Sequence, residues 1–236
     1  MPRSNRCLLR STPGKLDHER SIIIRRRMPH HPIELGAVYQ TEWGNDPLRV
    51  IAFDLEVTMY GAWYPHENAW SSDVHKAMAY YRLPTPLLLE RSTYLRTEPY
   101  TDAEFKRHRP DLPLSVAKHP DLAWTPEPPP DVASIEEALD GKVHEGSAKS
   151  PSPALVTPAI MLEPFGPKGS QRRGVLVEAS DGKAFTEAEL LWHAWCIQAP
   201  FVRSPAQTKG IGIYRSGLQR GLTSYYVCGS TSRLGE

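Results

Sequence analysis

The feature that most constrains how this chain folds is its proline distribution, because fifteen of its 23 prolines lie between Pro84 and Pro167. Proline lacks a backbone N–H and clashes with a preceding helical turn, so long helices and central strands are not expected in this middle third. Short helices still fit between the prolines. Residues 101–104 (Thr-Asp-Ala-Glu) and 134–137 (Ser-Ile-Glu-Glu) have the capping-box spacing that starts a helix. We therefore predict a middle third dominated by loops and short helices.

The regions on either side carry the periodic patterns of an α+β protein. Residues 50–60 alternate apolar and polar side chains, which predicts a strand with one buried face, and residues 37–43 form a second strand across a turn at 44–47. Helical spacing of apolar residues predicts helices over 72–83 and 186–198. Further strands are expected at 87–90, 154–162, 174–179, 211–215 and 223–228. The prediction is an α+β domain in which a mostly antiparallel sheet is covered by two main helices.

Charge separates the first residues from the rest. Residues 1–27 hold eight Arg and Lys against two acidic side chains, which makes +6, so the remaining residues carry −5 of the total of +1. We interpret 1–27 as a basic disordered leader and 28–236 as a single domain, with Met28 as an alternative start. A nucleic-acid-binding arm or a transit peptide is the alternative for the leader. The acidic balance of the domain argues against direct binding of nucleic acid by it.

Several classes of protein are excluded by composition. The longest apolar run is about five residues, against the ~20 that cross a bilayer, so no membrane span is expected. The three cysteines, Cys7, Cys196 and Cys228, are too few and too scattered for a disulfide framework or a zinc knuckle. A reducing cytoplasm fits this cysteine usage best.

One pair of carboxylates raises the hypothesis of an enzyme. Asp54 and Glu56 lie two residues apart in the predicted strand 50–60, where both side chains would project from the same face and could hold a divalent cation. The stretch 48–56 (Leu-Arg-Val-Ile-Ala-Phe-Asp-Leu-Glu) resembles the first motif of DEDD-type exonucleases, which implies a metal-dependent nuclease as the alternative function. No tyrosine here has an aspartate four residues on, and no histidine has one five residues on.

Other catalytic patterns are missing from the sequence. The histidines form no H-x-H, H-E-x-x-H or H-x3-H set, and no G-x-S-x-G elbow is present. Cys196 lies beside Trp195 on the predicted helix 186–198, where a thiol usually serves only for packing. We therefore predict no catalytic residue, no metal ligand and no cofactor, and a protein that is not an enzyme.

Acidic and aromatic residues suggest a surface for a protein partner. Between His119 and Ser147 seven acidic residues face a single lysine, which indicates either a solvated face or a docking surface for a basic partner. The candidate binding acids are Asp121, Glu127, Asp131, Glu136, Glu137 and Asp140. Trp63 and Tyr64 are predicted in the loop that follows strand 50–60 and are the candidate apolar anchors, with burial in the core as the alternative.

The layout resembles a family of bacterial inhibitors. The succession of strand, aromatic loop and helix over 48–83, together with 182–192 (Gly-Lys-Ala-Phe-Thr-Glu-Ala-Glu-Leu-Leu-Trp), is similar to the immunity proteins of bacterial polymorphic toxins, in particular those paired with restriction-endonuclease-fold toxins delivered by type VI secretion. The resemblance implies a small cytoplasmic α+β protein that binds and neutralises one cognate toxin. The helix 186–198 is apolar on nearly every side, which predicts in addition a homodimer with this helix or its neighbouring strand near the two-fold axis.

Overall fold

The structure is a computed structural model that describes residues 33–74, 81–140, 153–166, 169–203 and 209–229. The described residues belong to one compact unit. The predicted basic leader and nearly all of the predicted loop at 146–153 lie outside the described residues.

The first of two sheets is antiparallel and forms early in the chain. Its strands are β1 (Ala37–Thr41), β2 (Leu48–Phe53), β3 (Val57–Tyr64), β4 (Ala69–Trp70), β5 (Tyr81–Pro84) and β6 (Ser92–Thr97). They are arranged in the order β4-β3-β2-β1-β6, with β5 also beside β3. The predicted hairpin across the turn at 44–47 is confirmed, because Val38 pairs with Arg49 and Tyr39 with Leu48. A small core is buried on this sheet and includes Ala37, Tyr39, Leu48, Val50, Leu83 and Leu88.

The second sheet collects strands from the middle and the end of the chain. Its strands are β7 (Ser115–Ala123), β8 (Ala159–Glu163), β9 (Val175–Glu178), β10 (Lys209–Gln219) and β11 (Leu222–Cys228). They lie in the order β7-β10-β11-β8-β9, and all neighbours are antiparallel except β11 and β8. The predicted α+β class is confirmed, but the single predicted sheet is wrong, since the strands divide into two sheets.

The described residues contain five α-helices rather than two main ones. They are α1 (Ser71–Val74), α2 (Thr85–Arg91), α3 (Asp102–His108), α4 (Val132–Asp140) and α5 (Glu187–Gln198), and a 3-10 turn (Ala199–Phe201) follows α5. Helix α5, with α4 against it, packs on the second sheet and supplies much of the larger core. Among the described residues we find no helix whose length and apolarity would let it cross a membrane.

Three predicted elements of the first half are corrected. The predicted strand 50–60 is a hairpin, because a turn at 54–56 separates β2 from β3. The predicted helix 72–83 cannot extend to residue 83, since Tyr81–Pro84 is strand β5, paired with β3 from Val57 to Tyr60. The predicted strand 87–90 is part of helix α2, and Pro86 lies in its first turn, where a missing N–H costs nothing.

The proline-rich middle third matches the prediction in part. Helix α3 begins with the predicted capping box, in which the Thr101 hydroxyl accepts from the Glu104 N–H and the Glu104 carboxylate accepts from the Thr101 N–H. However, β7 is a nine-residue strand with Pro120 inside it. This is tolerated because β7 is an edge strand, whose outer side needs no ladder donor, and the β7–β10 register shifts at this point.

Helix α5 confirms the predicted helix at 186–198 and changes how its apolar surface is understood. The Thr186 hydroxyl caps it, but the Glu189 carboxylate accepts from Ser180 instead of completing the box. Its buried apolar residues are Ala188, Leu190, Leu191, Ala194 and Trp195. Trp192 and Ile197 pack against the same core from partly buried positions. The apolar surface of α5 is therefore covered by its own chain. The homodimer stays a prediction, but an uncovered apolar face on α5 no longer supports it.

Candidate partner-binding site

The predicted acidic residues lie along β7, α4 and the segment that connects them. Asp121, Glu127, Glu136 and Glu137 are exposed, and none of the four forms an ion pair with a described residue. We call these four residues the acidic surface. Glu136 and Glu137 are exposed on α4, directly after Ile135, which is buried in the larger core.

The two remaining predicted acids have different positions. Asp131 is exposed, but one of its carboxylate oxygens accepts from both the N–H and the hydroxyl of Ser134, at 2.8 and 2.7 Å. These hydrogen bonds lower the pKa of Asp131 and start α4, so the predicted capping role of Ser134 is wrong and the cap is Asp131. Asp140 is the last residue of α4, and its side chain lies outside the described part.

Indole groups hold the connecting segment against α5. The Trp195 indole donates to the Thr125 hydroxyl at 3.0 Å, and the Trp192 indole donates to the Pro129 carbonyl at 3.2 Å. Trp124 is fully buried, donates to the Cys228 carbonyl at 2.7 Å and contacts the Trp195 ring edge-on at 5.2 Å. Because prolines offer carbonyls but no N–H groups, the tryptophans supply donors to a segment poor in its own. The acidic surface is thus carried by a fixed backbone.

Trp63 and Tyr64 are the last two residues of strand β3, so their predicted place in a loop is wrong. The Trp63 ring meets the Trp70 ring edge-on, with 5.1 Å between the centroids. The Tyr64 hydroxyl is 2.8 Å from the Tyr81 hydroxyl, and this hydrogen bond, together with burial, raises the pKa of Tyr81 to about 12. Both residues are partly buried. They are thus neither fully exposed, as a free binding anchor would be, nor fully buried, as a core residue would be.

Beside these aromatic residues is an open surface depression of about 470 Å³. It is lined by residues 45–46 from the β1–β2 turn and by residues 63–67 from the end of β3 and the turn after it. The backbone N–H of Trp63 donates to the Pro47 carbonyl at 3.0 Å, and this hydrogen bond brings the two turns together. The sequence indicated each turn but not that they are neighbours.

The geometry at Asp54 and Glu56 differs from that required by the exonuclease hypothesis. Both residues lie in the tight β2–β3 turn, not in the middle of a strand. One oxygen of Asp54 accepts from the N–H groups of Glu56 and Val57, at 2.8 and 2.7 Å, while Glu56 forms an exposed ion pair with Lys118 at 3.3 Å. Across the described ranges, no three His, Cys, Asp or Glu side chains converge into a group that could hold a metal ion. The premise of two carboxylates on one strand face is therefore wrong.

Burial shifts the pKa values of Cys196 and His193 on α5. Burial raises the pKa of the Cys196 thiol, which disfavours the nucleophilic thiolate, and burial also lowers the pKa of His193. The His193 ring instead contacts the rings of Trp192 and Phe185 edge-on. Packing explains both side chains.

Comparisons with protein-family models, with curated proteins and with solved structures find no match.

Proposed function

We propose that this protein is a cytoplasmic immunity protein that binds and neutralises a cognate toxin, and that the toxin is a nuclease. The observation that carries the proposal is the acidic surface, because its four exposed carboxylates form no ion pair with a described residue. The stretch that contains them, 119–147, holds seven acidic residues and a single lysine. The layout resemblance to immunity proteins of polymorphic toxins supplies the class of partner.

The electrostatics of a nuclease suit such a surface. A nuclease attracts the phosphates of its substrate with lysine and arginine side chains, which give its active-site face a positive potential. A protein with an acidic surface is steered toward that face by the same long-range attraction and approaches it faster than a neutral protein would. Asp131 and Asp140 add to the charge of the segment, and neutralisation follows from occupying the face that the nucleic acid needs.

The fixed backbone beneath the acidic surface supports the same function. Association costs conformational freedom when interface segments become ordered. The indole hydrogen bonds from Trp192 and Trp195 place the connecting segment before any partner arrives, so little of that cost remains at binding. A backbone that is ordered before binding favours tight association.

If the proposal is right, the gene next to that of this protein should encode the toxin, and the nuclease domain of that toxin is the partner used in the experiment. The double variant Glu136→Lys/Glu137→Lys should lower the association rate constant at low salt by about tenfold and flatten its dependence on ionic strength. Surface-plasmon kinetics at several salt concentrations measure both quantities. Coexpression of the wild-type protein should restore growth of cells that produce the toxin domain.

A matched control separates an effect of the acidic surface from an effect of the protein's net charge. Glu42→Lys/Glu90→Lys changes the net charge by the same amount at two other exposed carboxylates that have no ion pair among the described residues. We expect the control to change the association rate by less than about twofold. Equal loss in both variants would remove the acidic surface from the interface, and a toxin domain that neither binds nor is neutralised would refute the function.

A further inference from the structure

The surface depression beside Trp63 is lined by two aromatic rings and by two carboxylates. Its aromatic wall is made by Trp63 and Tyr64, both partly buried and fixed by contacts with Trp70 and Tyr81. Its other lining includes Asp46 and Glu67, one from each of the two neighbouring turns. Both carboxylates are exposed, and neither forms an ion pair with a described residue.

Aromatic faces and carboxylates share one preferred ligand. A cation is attracted to the negative face of a tryptophan or tyrosine ring and pairs with a carboxylate. Arginine satisfies both groups at once, because its flat guanidinium stacks on a ring while its edge donates two hydrogen bonds to a carboxylate. Lysine offers a compact, strongly hydrated charge that stacks less well. A neutral apolar ligand would leave the carboxylates unused.

We propose that the depression bounded by Asp46, Trp63, Tyr64 and Glu67 is a binding site for an arginine side chain of the protein partner. This inference rests on the proposed function, since a basic toxin supplies the arginine. It gives Trp63 and Tyr64 a more specific role than that of apolar anchors: the rings orient a charged group, and the two carboxylates select it. The hydrogen bond from the backbone N–H of Trp63 to the Pro47 carbonyl keeps the two turns together, and with them the two carboxylates beside the rings.

A small-molecule titration tests the chemistry of the site without the toxin. The full chain has six tryptophans, and the indole resonance of Trp63 is assigned in a heteronuclear NMR spectrum by its loss in Trp63→Phe. Acetyl-arginine amide at pH 8, where imidazole groups are generally neutral, should shift this resonance in a saturable way. Nα-acetyl-citrulline amide, which has nearly the same shape without the charge, should cause no such shift. Nα-acetyl-lysine amide, whose side chain keeps its charge, should bind more weakly than the arginine compound.

Variants connect the shift to the two carboxylates. Asp46→Asn/Glu67→Gln should raise the dissociation constant for acetyl-arginine amide by about fivefold or more. Glu42→Gln/Glu90→Gln, the matched control, should leave it unchanged. Equal shifts with the citrulline analogue, an unchanged affinity in Asp46→Asn/Glu67→Gln, or tighter binding of the lysine analogue would overturn the arginine site.

The toxin domain provides a second readout that separates the two proposals. If the site receives an arginine of the toxin, Asp46→Asn/Glu67→Gln should speed dissociation of the complex, whereas the Glu136 and Glu137 reversals mainly slow association. Unchanged dissociation would overturn the partner's arginine as the occupant. Failure of the toxin to bind wild-type protein would refute the proposed function, while the small-molecule titration would still decide whether the site selects guanidinium.

Discussion

Arg49 shows how a single residue ties the first sheet to its neighbours. It lies in β2 and is only 5% exposed. Its guanidinium donates to the Glu104 carboxylate at 2.8 Å and to the Glu98 carbonyl at 3.0 Å, and it stacks on the Tyr100 ring at 4.2 Å. A buried guanidinium is tolerated only when such partners replace water. Glu104 therefore both caps α3 and neutralises a buried charge.

Replacing Glu104 tests this double role through its pH dependence. Burial alone would raise the pKa of Glu104, but the hydrogen bonds from Arg49 and Thr101 lower it from 4.5 to about 2. A lowered carboxyl pKa stabilises the fold above about pH 4.5, and the contribution is lost as the pH falls toward 2. Glu104→Gln should therefore lower the free energy of unfolding by about 1–3 kcal/mol at pH 7 and by much less near pH 2.

Urea denaturation across this pH range measures the difference. Asp102→Asn is the control, because Asp102 is an exposed carboxylate in the first turn of the same helix and forms no ion pair among the described residues. It should cost less than about 1 kcal/mol, as expected for a favourable charge near a helix N-terminus. A destabilisation by Glu104→Gln that did not vary with pH would contradict the charge-assisted bond to Arg49.

At the scale of elements, the β2–β3 turn is held by several hydrogen bonds at Asp54. Asp54 accepts from the N–H groups of Glu56 and Val57, and its own N–H donates to the Val57 carbonyl. The Thr85 hydroxyl donates to the Asp54 carbonyl at 2.9 Å, which connects the turn to the start of α2. Leu55 is 91% exposed at the tip, so hydrogen bonds rather than burial fix this turn.

Substitution of the two turn carboxylates should have unequal effects. Asp54→Ala removes an acceptor for two backbone N–H groups and should lower the free energy of unfolding by about 1–2 kcal/mol. Glu56→Ala removes only an exposed ion pair with Lys118 and should change it by less than about 1 kcal/mol. Chemical denaturation measures both, and equal effects would contradict the capping role of Asp54.

Degradation of single-stranded DNA with magnesium or manganese, abolished by Asp54→Ala, would instead restore the exonuclease hypothesis.

At the scale of the whole molecule, a few side chains connect the two sheets. Leu114, just before β7, is buried with Ala52 and Met59 of the first sheet. Arg82 of β5 donates to the Tyr226 hydroxyl of β11 at 2.8 Å, and its guanidinium lies 4.5 Å from the Tyr226 ring centre. The larger core belongs to the second sheet and α5, so the first sheet depends on these contacts for part of its stability.

Leu114→Ala should therefore uncouple the sheets. We expect it to lower the free energy of unfolding by about 2–5 kcal/mol, and the amides of β1–β3 to exchange at a lower opening free energy than those of β10 and β11. Native-state hydrogen exchange resolves the two groups of amides. Leu190→Ala, which empties a site within the larger core, should lower both together. Equal opening of both sheets in Leu114→Ala would contradict the coupling role.

The sequence was most informative where neighbouring residues decide the structure. The β1–β2 hairpin follows from turn residues between two apolar runs, and α5 follows from its apolar spacing behind the Thr186 cap. The capping box of α3 depends on residues three positions apart. The exposure of Glu136 and Glu137 was likewise predictable, because charged side chains are rarely buried without a partner.

Predictions were wrong where a local pattern fits two structures. The alternation over 50–60 continues through the turn, so periodicity alone cannot show that Asp54 ends one strand and starts a hairpin. Residues 81–84 have the composition of a helix end, and only pairing with β3 makes them a strand. The exonuclease hypothesis depended on the first of these errors, so it lost its geometric basis with the strand.

The sequence by itself determined the α+β class, the acidic character of the segment that leads into α4, and the helix that fills the larger core. Tertiary structure alone decided that the strands divide into two sheets, because β10 pairs with β7 some 90 residues earlier (Lys209 with Ala123) and β11 lies parallel to β8. It also decided that the turns bearing Asp46 and Glu67 meet beside Trp63. The physical reason is that periodicity and turn chemistry act over a few residues, whereas strand partners and surface sites depend on which distant segments bury each other's surface.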